Sequence, residues 1–304
     1  SMTVCGDYLY ATGYFDGVID FDQSAKVDER TSNGRGDILI LKYNIDGTYI
    51  WCKTFGGESD FDWGEKITSD QEGNLYVCGS IGHDPEGVDM DPGQGISLNS
   101  TYQRPASFLV KIDQDANLEW ARIWGSSVSG ASGYAESVAV QGSIVYVVGG
   151  ISGPIDLSPL GSSMDMTSVP ELSGGYVISI NSDGEYISSY SLYGDDAVMD
   201  VCCNGEEVFI TGLFGQEIKF QDNEIPSHGG WDIYVLALST ELIPEHLITF
   251  GGSGQERVNC IACYGDYVYV AGSFEDFVDF PVNGTQQEFA PDMSDCFLLS
   301  LKME

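Results

Sequence analysis

Basic residues are scarce in this sequence. The 304 residues include 12 Lys and Arg against 47 Asp and Glu, which gives a formal net charge of −35 at pH 7. With so few cations the chain cannot form the positive surface that neutralises phosphates, so non-specific nucleic-acid binding is excluded. The same charge disfavours attraction to an anionic membrane surface.

The sequence also lacks long apolar runs and helical periodicity. No run of about 18 apolar residues occurs, so we expect no membrane-spanning helix. No basic segment followed by an apolar one opens the chain, so we expect no signal peptide within it. The 38 Gly and 17 Tyr favour strands joined by many turns, and the 42% of apolar residues is enough for a substantial core.

An apolar strand that ends in glycine recurs along the chain every 60 to 70 residues. The five glycines are Gly13, Gly79, Gly149, Gly212 and Gly272. Each is followed by a short apolar marker and a third strand, and four of the units add a fourth strand that ends in an aromatic residue and glycine. Asx-Gly turns between apolar runs are a strong hairpin signal. Units of four short antiparallel strands are typical of a β-propeller.

The repeat divides the chain into five predicted blades of a single domain. They span approximately residues 2–57, 58–125, 126–194, 195–252 and 253–304. The last blade has three predicted strands. We therefore expect an all-β protein, a five-bladed propeller whose last blade closes the ring beside residues 1–5. A last blade that is open, as part of a longer repeat array, is the alternative.

The repeated motifs resemble those of a known family. In this sequence they read Gly17-Val-Ile-Asp-Phe-Asp22, Arg35-Gly-Asp37, Trp51, Phe55-Gly-Gly57, Val88-Asp-Met-Asp-Pro-Gly93 and Trp120. The combination resembles the SBBP-type β-propeller repeats of secreted and surface-attached bacterial proteins, and it runs through most of the chain. The resemblance implies an extracellular or cell-surface protein, with the cytoplasm as the alternative, and it assigns no catalytic residues.

The loops that enter the inner strands carry aromatic and charged side chains. In a propeller such loops surround one end of the axial channel, which we call the axial mouth. The candidate ligand-binding residues there are Asp60, Asp62, Trp63, Glu65, Tyr134, Glu136, Asp195, Asp196, Glu256 and Arg257. Aromatic rings beside carboxylates suit sugars or cationic peptides. We expect a binding or scaffold protein with a carbohydrate or protein ligand and Trp63 as anchor; packing of Trp63 and Tyr134 between blades is the alternative.

An axial set of carboxylates suggests an enzyme as the alternative function. Glu65 and Glu136 align at the entry of adjacent inner strands, and Asp200 lies one residue further on. Paired carboxylates cleave glycosidic bonds, so a glycan hydrolase is the alternative reading. We expect no catalytic residues, because the sequence has no nucleophile elbow, phosphate loop or zinc pair. A carboxylate paired with Lys66 or Arg257 would favour the binding protein.

Acidic clusters and cysteines are the remaining candidate sites. Hard oxygen ligands suit calcium, but neither cluster has the spacing of a known calcium loop, so we expect a solvated acidic rim and no cofactor. The clusters are Asp16, Asp20 and Asp22, and Asp84, Glu86, Asp89 and Asp91. The 8 cysteines are irregularly placed. We expect them to act as small apolar residues, without a disulfide framework or a metal.

Overall fold

The chain is all β, as the sequence predicts. The computed structural model describes residues 1–58, 61–84, 87–93, 98–99, 105–126, 128, 130–157, 173–192, 197–282, 285–289 and 294–302. Within these ranges the chain forms five successive larger antiparallel sheets, which we call blades 1 to 5, and three two-stranded sheets. Across the same ranges, no helix has the length and hydrophobicity that a membrane span requires.

The first three blades contain sixteen of the strands. Those of blade 1 are β1 (Met2–Cys5), β2 (Tyr8–Phe15), β3 (Val18–Asp20), β4 (Glu29–Thr31), β5 (Asp37–Asn44) and β6 (Tyr49–Phe55). Those of blade 2 are β7 (Trp63–Ser69), β8 (Leu75–Ile81), β9 (Val88–Asp89), β10 (Leu98–Asn99), β11 (Ala106–Ile112) and β12 (Leu118–Trp124). Those of blade 3 are β13 (Ser132–Gln141), β14 (Ile144–Ser152), β15 (Ser173–Asn181) and β16 (Tyr186–Ser191).

The last two blades complete the series. Those of blade 4 are β17 (Ala197–Cys203), β18 (Glu207–Phe214), β19 (Glu217–Phe220), β20 (Asn223–Pro226), β21 (Asp232–Ser239) and β22 (Pro244–Gly252). Those of blade 5 are β23 (Glu256–Tyr264), β24 (Tyr267–Glu275), β25 (Val278–Val282), β26 (Thr285–Phe289) and β27 (Ser294–Lys302).

The strand order follows the repeat. The sheets run β1-β2-β5-β6, β7-β8-β11-β12, β13-β14-β15-β16, β17-β18-β21-β22 and β23-β24-β27. The hairpin β25–β26, which follows β24 in the chain, pairs with β22 and extends the sheet of blade 4 to six strands. The inner strands β1, β7, β13, β17 and β23 lie next to one another in that order along the chain. Short hairpins, such as β3–β4 and β19–β20, are inserted between the second and third strands. This succession of blades with neighbouring inner strands is the architecture of a β-propeller.

Each pair of successive blades shares one apolar core. Four buried clusters lie between blades 1 and 2, 2 and 3, 3 and 4, and 4 and 5. The third strand β11 is buried along its whole length because neighbouring blades cover both of its faces. Val88 and Val278, which belong to the apolar markers of the sequence, are fully buried in these cores.

The end face of blade 1 has a small buried cluster of its own, formed by Phe15, Leu39 and Cys52, and the end face of blade 5 is exposed at Leu298. Blade 1 and blade 5 share no sheet and no buried cluster among the described residues. Ile19, in the marker of blade 1, is 38% exposed, whereas the corresponding residues of the later blades are buried. The closed ring of five blades, with residues 1–5 beside the last blade, stays a prediction.

The recurring glycines let the inner strand approach its neighbour closely. A Cβ atom on Gly79, Gly149, Gly212 or Gly272 would overlap a carbonyl oxygen of the preceding inner strand. The oxygen above Gly212 belongs to Ala197. Glycine is therefore required at these positions by a backbone contact.

We expect Gly212→Ala to lower the free energy of unfolding by about 3 kcal/mol, because the added methyl group forces β17 away from β18. Gly13→Ala is the matched control, since a Cβ on Gly13 meets no atom within 4 Å. Urea titrations of both variants measure the difference. Equal losses for the two variants would contradict this explanation of the repeat.

Candidate functional site

A β-bulge recurs in four inner strands at the same repeat position. The pairing with the second strand shifts by one residue at Glu65 in β7, Glu136 in β13, Met199 in β17 and Asn259 in β23. A bulge redirects the side chains around it. Glu65 and Glu136 therefore occupy equivalent places, and Asp200 follows one residue later, with the offset that the sequence indicates.

The Asp200 carboxylate is buried where the inner strands of four blades meet. Its Oδ1 accepts from Lys66 Nζ of blade 2 at 2.9 Å and from Ser137 Oγ of blade 3 at 2.5 Å. Its Oδ2 accepts from the Ile261 amide of blade 5 at 2.9 Å. The carboxylate thus has a cationic partner and two further donors, which compensate its burial.

We expect Asp200→Asn to destabilise the fold by about 3 kcal/mol, because Lys66 loses its counter-ion and the donors face a weaker acceptor. Thermal and urea unfolding measure the loss. Asp266→Asn, in an exposed turn, is the control and should leave stability unchanged. A fully stable Asp200→Asn variant would show that the four-blade contact does not hold the inner strands.

Asp62 lies inside the joint between blades 1 and 2. Its buried carboxylate accepts from the Gly57 amide at 2.7 Å and from the Gly82 amide at 2.8 Å. Burial raises the pKa of Asp62 to about 6, and the charges of Asp37 and Asp84 add to the rise, while the two amides oppose it. Asp62 therefore binds the backbone of its own chain and is not presented to a ligand at the axial mouth.

Glu256 occupies the equivalent position in the joint between blades 4 and 5. It is buried, and its Oε2 accepts from the Gly252 amide at 3.2 Å. Burial raises the pKa of Glu256 to about 7; the Asp232 carboxylate adds to the rise, and the Gly252 amide opposes it. Asp232 is itself buried and accepts from His228 Nδ1 at 2.8 Å. Burial of a carboxyl next to a second carboxylate favours its protonated form.

The raised pKa makes this joint sensitive to pH. Between pH 4.5, the ordinary pKa of Glu, and about 7, the folded protein retains a proton that the unfolded chain has released. The stability from Glu256 is therefore complete below this range and is lost as the pH rises through it. We expect Glu256→Gln, which cannot ionise, to lose about 3 kcal/mol less folding stability than wild type across this pH range.

Urea titrations at a series of pH values measure this difference. Glu206→Gln, at an exposed turn, is the control and should follow the wild-type curve. If Glu256→Gln and wild type lose stability in parallel, the joint does not hold the proton.

A cavity of about 290 Å³ opens at the mouth between blades 3 and 4. Tyr134 and Glu136 of β13 line one side, and Met199 of β17 and Trp231 line the other. The Tyr134 side chain is 39% exposed, and its hydroxyl lies 3.0 Å from Ser132 Oγ. Burial raises the pKa of Glu136, and the Glu65 charge adds to the rise. Two aromatic rings thus frame a carboxyl group in an open cavity.

The other predicted mouth residues lie apart from this cavity. Trp63 is half-buried and stacks on Phe61, with ring centroids 5.6 Å apart, and Arg35 lies 6.0 Å above the Phe61 ring. Glu65 and Arg257 are exposed. Asp60, Asp195 and Asp196 fall outside the described residues.

The sequence did not point to Trp231 and Met199. Trp231 precedes Asp232 in the Gly-x-Asp motif of the third strand, so its position in the repeat suggested a structural role. Met199 is the bulge residue equivalent to Glu136, so an alignment of the inner strands could have identified it.

The acidic clusters hold their own loops. The Ser24 amide donates to Asp22 Oδ1 at 2.9 Å, and the Asp28 amide donates to Asp20 Oδ1 at 2.9 Å. Glu86 falls outside the described residues, and across the described ranges no three His, Cys, Asp or Glu residues are placed to hold a metal. The 8 cysteines are free thiols, three of them buried.

The comparison with protein families agrees with the repeat. The family model of the SBBP β-propeller repeat matches residues 50–85, which run from β6 of blade 1 into blade 2. No similar sequence is found among curated proteins. The matched segment contains the outer strand, the bulged inner strand and the glycine-ending second strand of the unit. Residues 50–85 therefore match one SBBP-type β-propeller repeat, and the strand pattern of that repeat recurs in the other blades.

Proposed function

We propose that this protein is a non-catalytic binding propeller whose ligand site is the cavity between blades 3 and 4. The observation that carries the proposal is the pairing of Tyr134 and Trp231 with Glu136 in one open cavity. Aromatic faces stack on the C–H surfaces of sugars or on cations, and a carboxylate accepts hydroxyl or ammonium donors. We therefore propose a carbohydrate or a cationic peptide as the ligand.

The rigidity of the surrounding strands supports this proposal. Glu136 is the bulge residue of β13, Tyr134 lies two residues before it, and the neighbouring Ser137 donates a hydrogen bond to Asp200. Fixed side chains lose little conformational entropy on binding, which favours affinity. The net charge of −35 further favours neutral or cationic ligands over anionic ones.

The state of Asp200 supports binding over glycan hydrolysis. A catalytic carboxylate must reach the sugar, but Asp200 is buried and paired with Lys66. Glu65 and Glu136 are the two axial carboxyls that solvent reaches. By the resemblance to surface-attached bacterial repeats, we propose a secreted or cell-surface location.

Glycan and peptide arrays, with and without calcium, identify the ligand class. For the strongest ligand, we expect Tyr134→Ala and Trp231→Ala each to weaken binding at least tenfold in calorimetry, because each removes one aromatic wall. Tyr264→Ala is the control, since Tyr264 is 82% exposed at the opposite end of its blade.

Two results would overturn the proposal. Unchanged affinity in both cavity variants, with intact folding, would place the site elsewhere. Release of reducing sugar from an array-positive glycan, lost in Glu136→Gln, would instead assign the cavity to a hydrolase.

A further inference from the structure

Two cysteine side chains meet between the inner strands of blades 4 and 5. Cys202 of β17 and Cys263 of β23 are free thiols in hydrogen-bond contact with each other. Both are half-buried and pack against the apolar cluster that these two blades share. Two sulfur atoms thus lie side by side at a place that solvent partly reaches.

The arrangement of the two strands accounts for this contact. The Asp200 carboxylate accepts from the Ile261 amide at 2.9 Å, which holds β17 beside β23. Cys202 lies two residues after Asp200, Cys263 lies two residues after Ile261, and the pairing with the second strands is continuous over both steps. Because alternate residues of a strand share a face, both thiols point into the joint that the Asp200 contact bridges.

The neighbouring cysteine of β17 faces the other joint. Cys203 packs with Ala139 against the apolar cluster between blades 3 and 4. Counted from the bulges, Ala139 is the repeat equivalent of Cys202, and Cys203 is the equivalent of Cys263. The same place in the joint is therefore filled by alanine and cysteine in one case and by two cysteines in the other. The packing of the repeat does not require the second thiol.

The two thiols differ in acidity. The Cys202 S–H donates to the Cys263 sulfur and lowers the pKa of Cys263, which burial opposes. The same contact raises the pKa of Cys202, and burial adds to the rise. Thiolates, and not thiols, attack disulfides. Cys263 is thus the attacking sulfur of the pair, and Cys202 is placed to resolve the product.

We propose that Cys202 and Cys263 are a site of reversible oxidation, at which a low-molecular-weight disulfide, RSSR, links the inner strands of blades 4 and 5. The Cys263 thiolate attacks RSSR, forms a mixed disulfide and displaces RS⁻. The Cys202 thiol gives its proton to this RS⁻, attacks the Cys263 sulfur and displaces the second RS⁻, which takes the proton that Cys263 had released. The two cysteines are oxidised to a disulfide, and RSSR is reduced to two RSH. The proposal does not depend on the cavity between blades 3 and 4.

Glutathione disulfide is the probe, and the parent protein carries Cys260→Ser and Cys296→Ser, which remove the two exposed thiols. After reduction and equilibration with the probe, we expect the intact mass of the parent to show the loss of two hydrogen atoms and no retained glutathione. Cys202→Ser should instead retain one glutathione on Cys263, because the resolving thiol is gone. Cys203→Ser is the matched control, since this adjacent thiol faces the other joint, and it should oxidise like the parent.

Rate and stability measurements test the two roles separately. Cys263→Ser should take up glutathione at least tenfold more slowly than Cys202→Ser, because Cys202 keeps its proton. Oxidation of the parent should raise its Tm by about 5 °C or more, since the new bond closes a long loop of the unfolded chain, and dithiothreitol should reverse the shift. The Tm of Cys202→Ser should not respond to the probe in this way.

Other outcomes would overturn the proposal. A parent whose thiols all stay reduced, or which only retains glutathione, would show that the two sulfur atoms do not bond. An internal disulfide that forms in Cys202→Ser and is abolished in Cys203→Ser would assign Cys203 as the partner of Cys263. Circular dichroism of the reduced variants establishes that each is folded before the probe is added.

Discussion

One buried carboxylate connects the inner strands of four blades. Asp200 binds an ammonium, a hydroxyl and a backbone amide from three neighbouring blades, and the bulges place it at their meeting point. A charge in this position is stable only when its lone pairs are used, so its geometry restricts all three partners together. This contact also fixes the backbone that carries the solvent-accessible residues at and beside the bulges, including Tyr134 and Glu136.

Carboxylates also lie inside the joints between blades. Asp62 and Glu256 occupy the same repeat position. They accept hydrogen bonds from the Gly57 and Gly252 amides, respectively, of the preceding blade. A side chain at Gly56 would come within 2.8 Å of Asp62 Oδ2, so the aromatic-Gly-Gly motif provides amide donors without steric conflict. The acid and the glycines are therefore one structural unit. Burial in this unit raises the pKa of Asp62 and of Glu256, so the stability of the joints depends on pH.

The fold followed from periodicity, because a strand ending in glycine every 60 to 70 residues has few alternatives. The candidate site could be predicted from the sequence less completely. Spacing placed Asp62 and Glu256 at the mouth, but it carries no information on whether a side chain turns outward or into a joint. The sequence alignment also offset Asp200 from Glu65 and Glu136 by one residue. Asp200 therefore follows the bulge instead of forming it, and its side chain is buried. Trp231 lies far in sequence from Tyr134, so only the packing of blade 3 on blade 4 brings them together.

The cavity lies where the repeat departs from its own pattern. Blades 1 and 4 begin the third strand with Asp37 and Asp232, buried in the joints, whereas blades 2 and 3 have the small residues Ala106 and Gly174 at the equivalent position. Ala197 similarly stands where blades 2 and 3 have an aromatic residue. Small residues at both positions leave volume unfilled and Trp231 reachable from solvent. In a repeat that specifies structure, a local loss of packing groups beside retained aromatic rings is the change expected of a binding site.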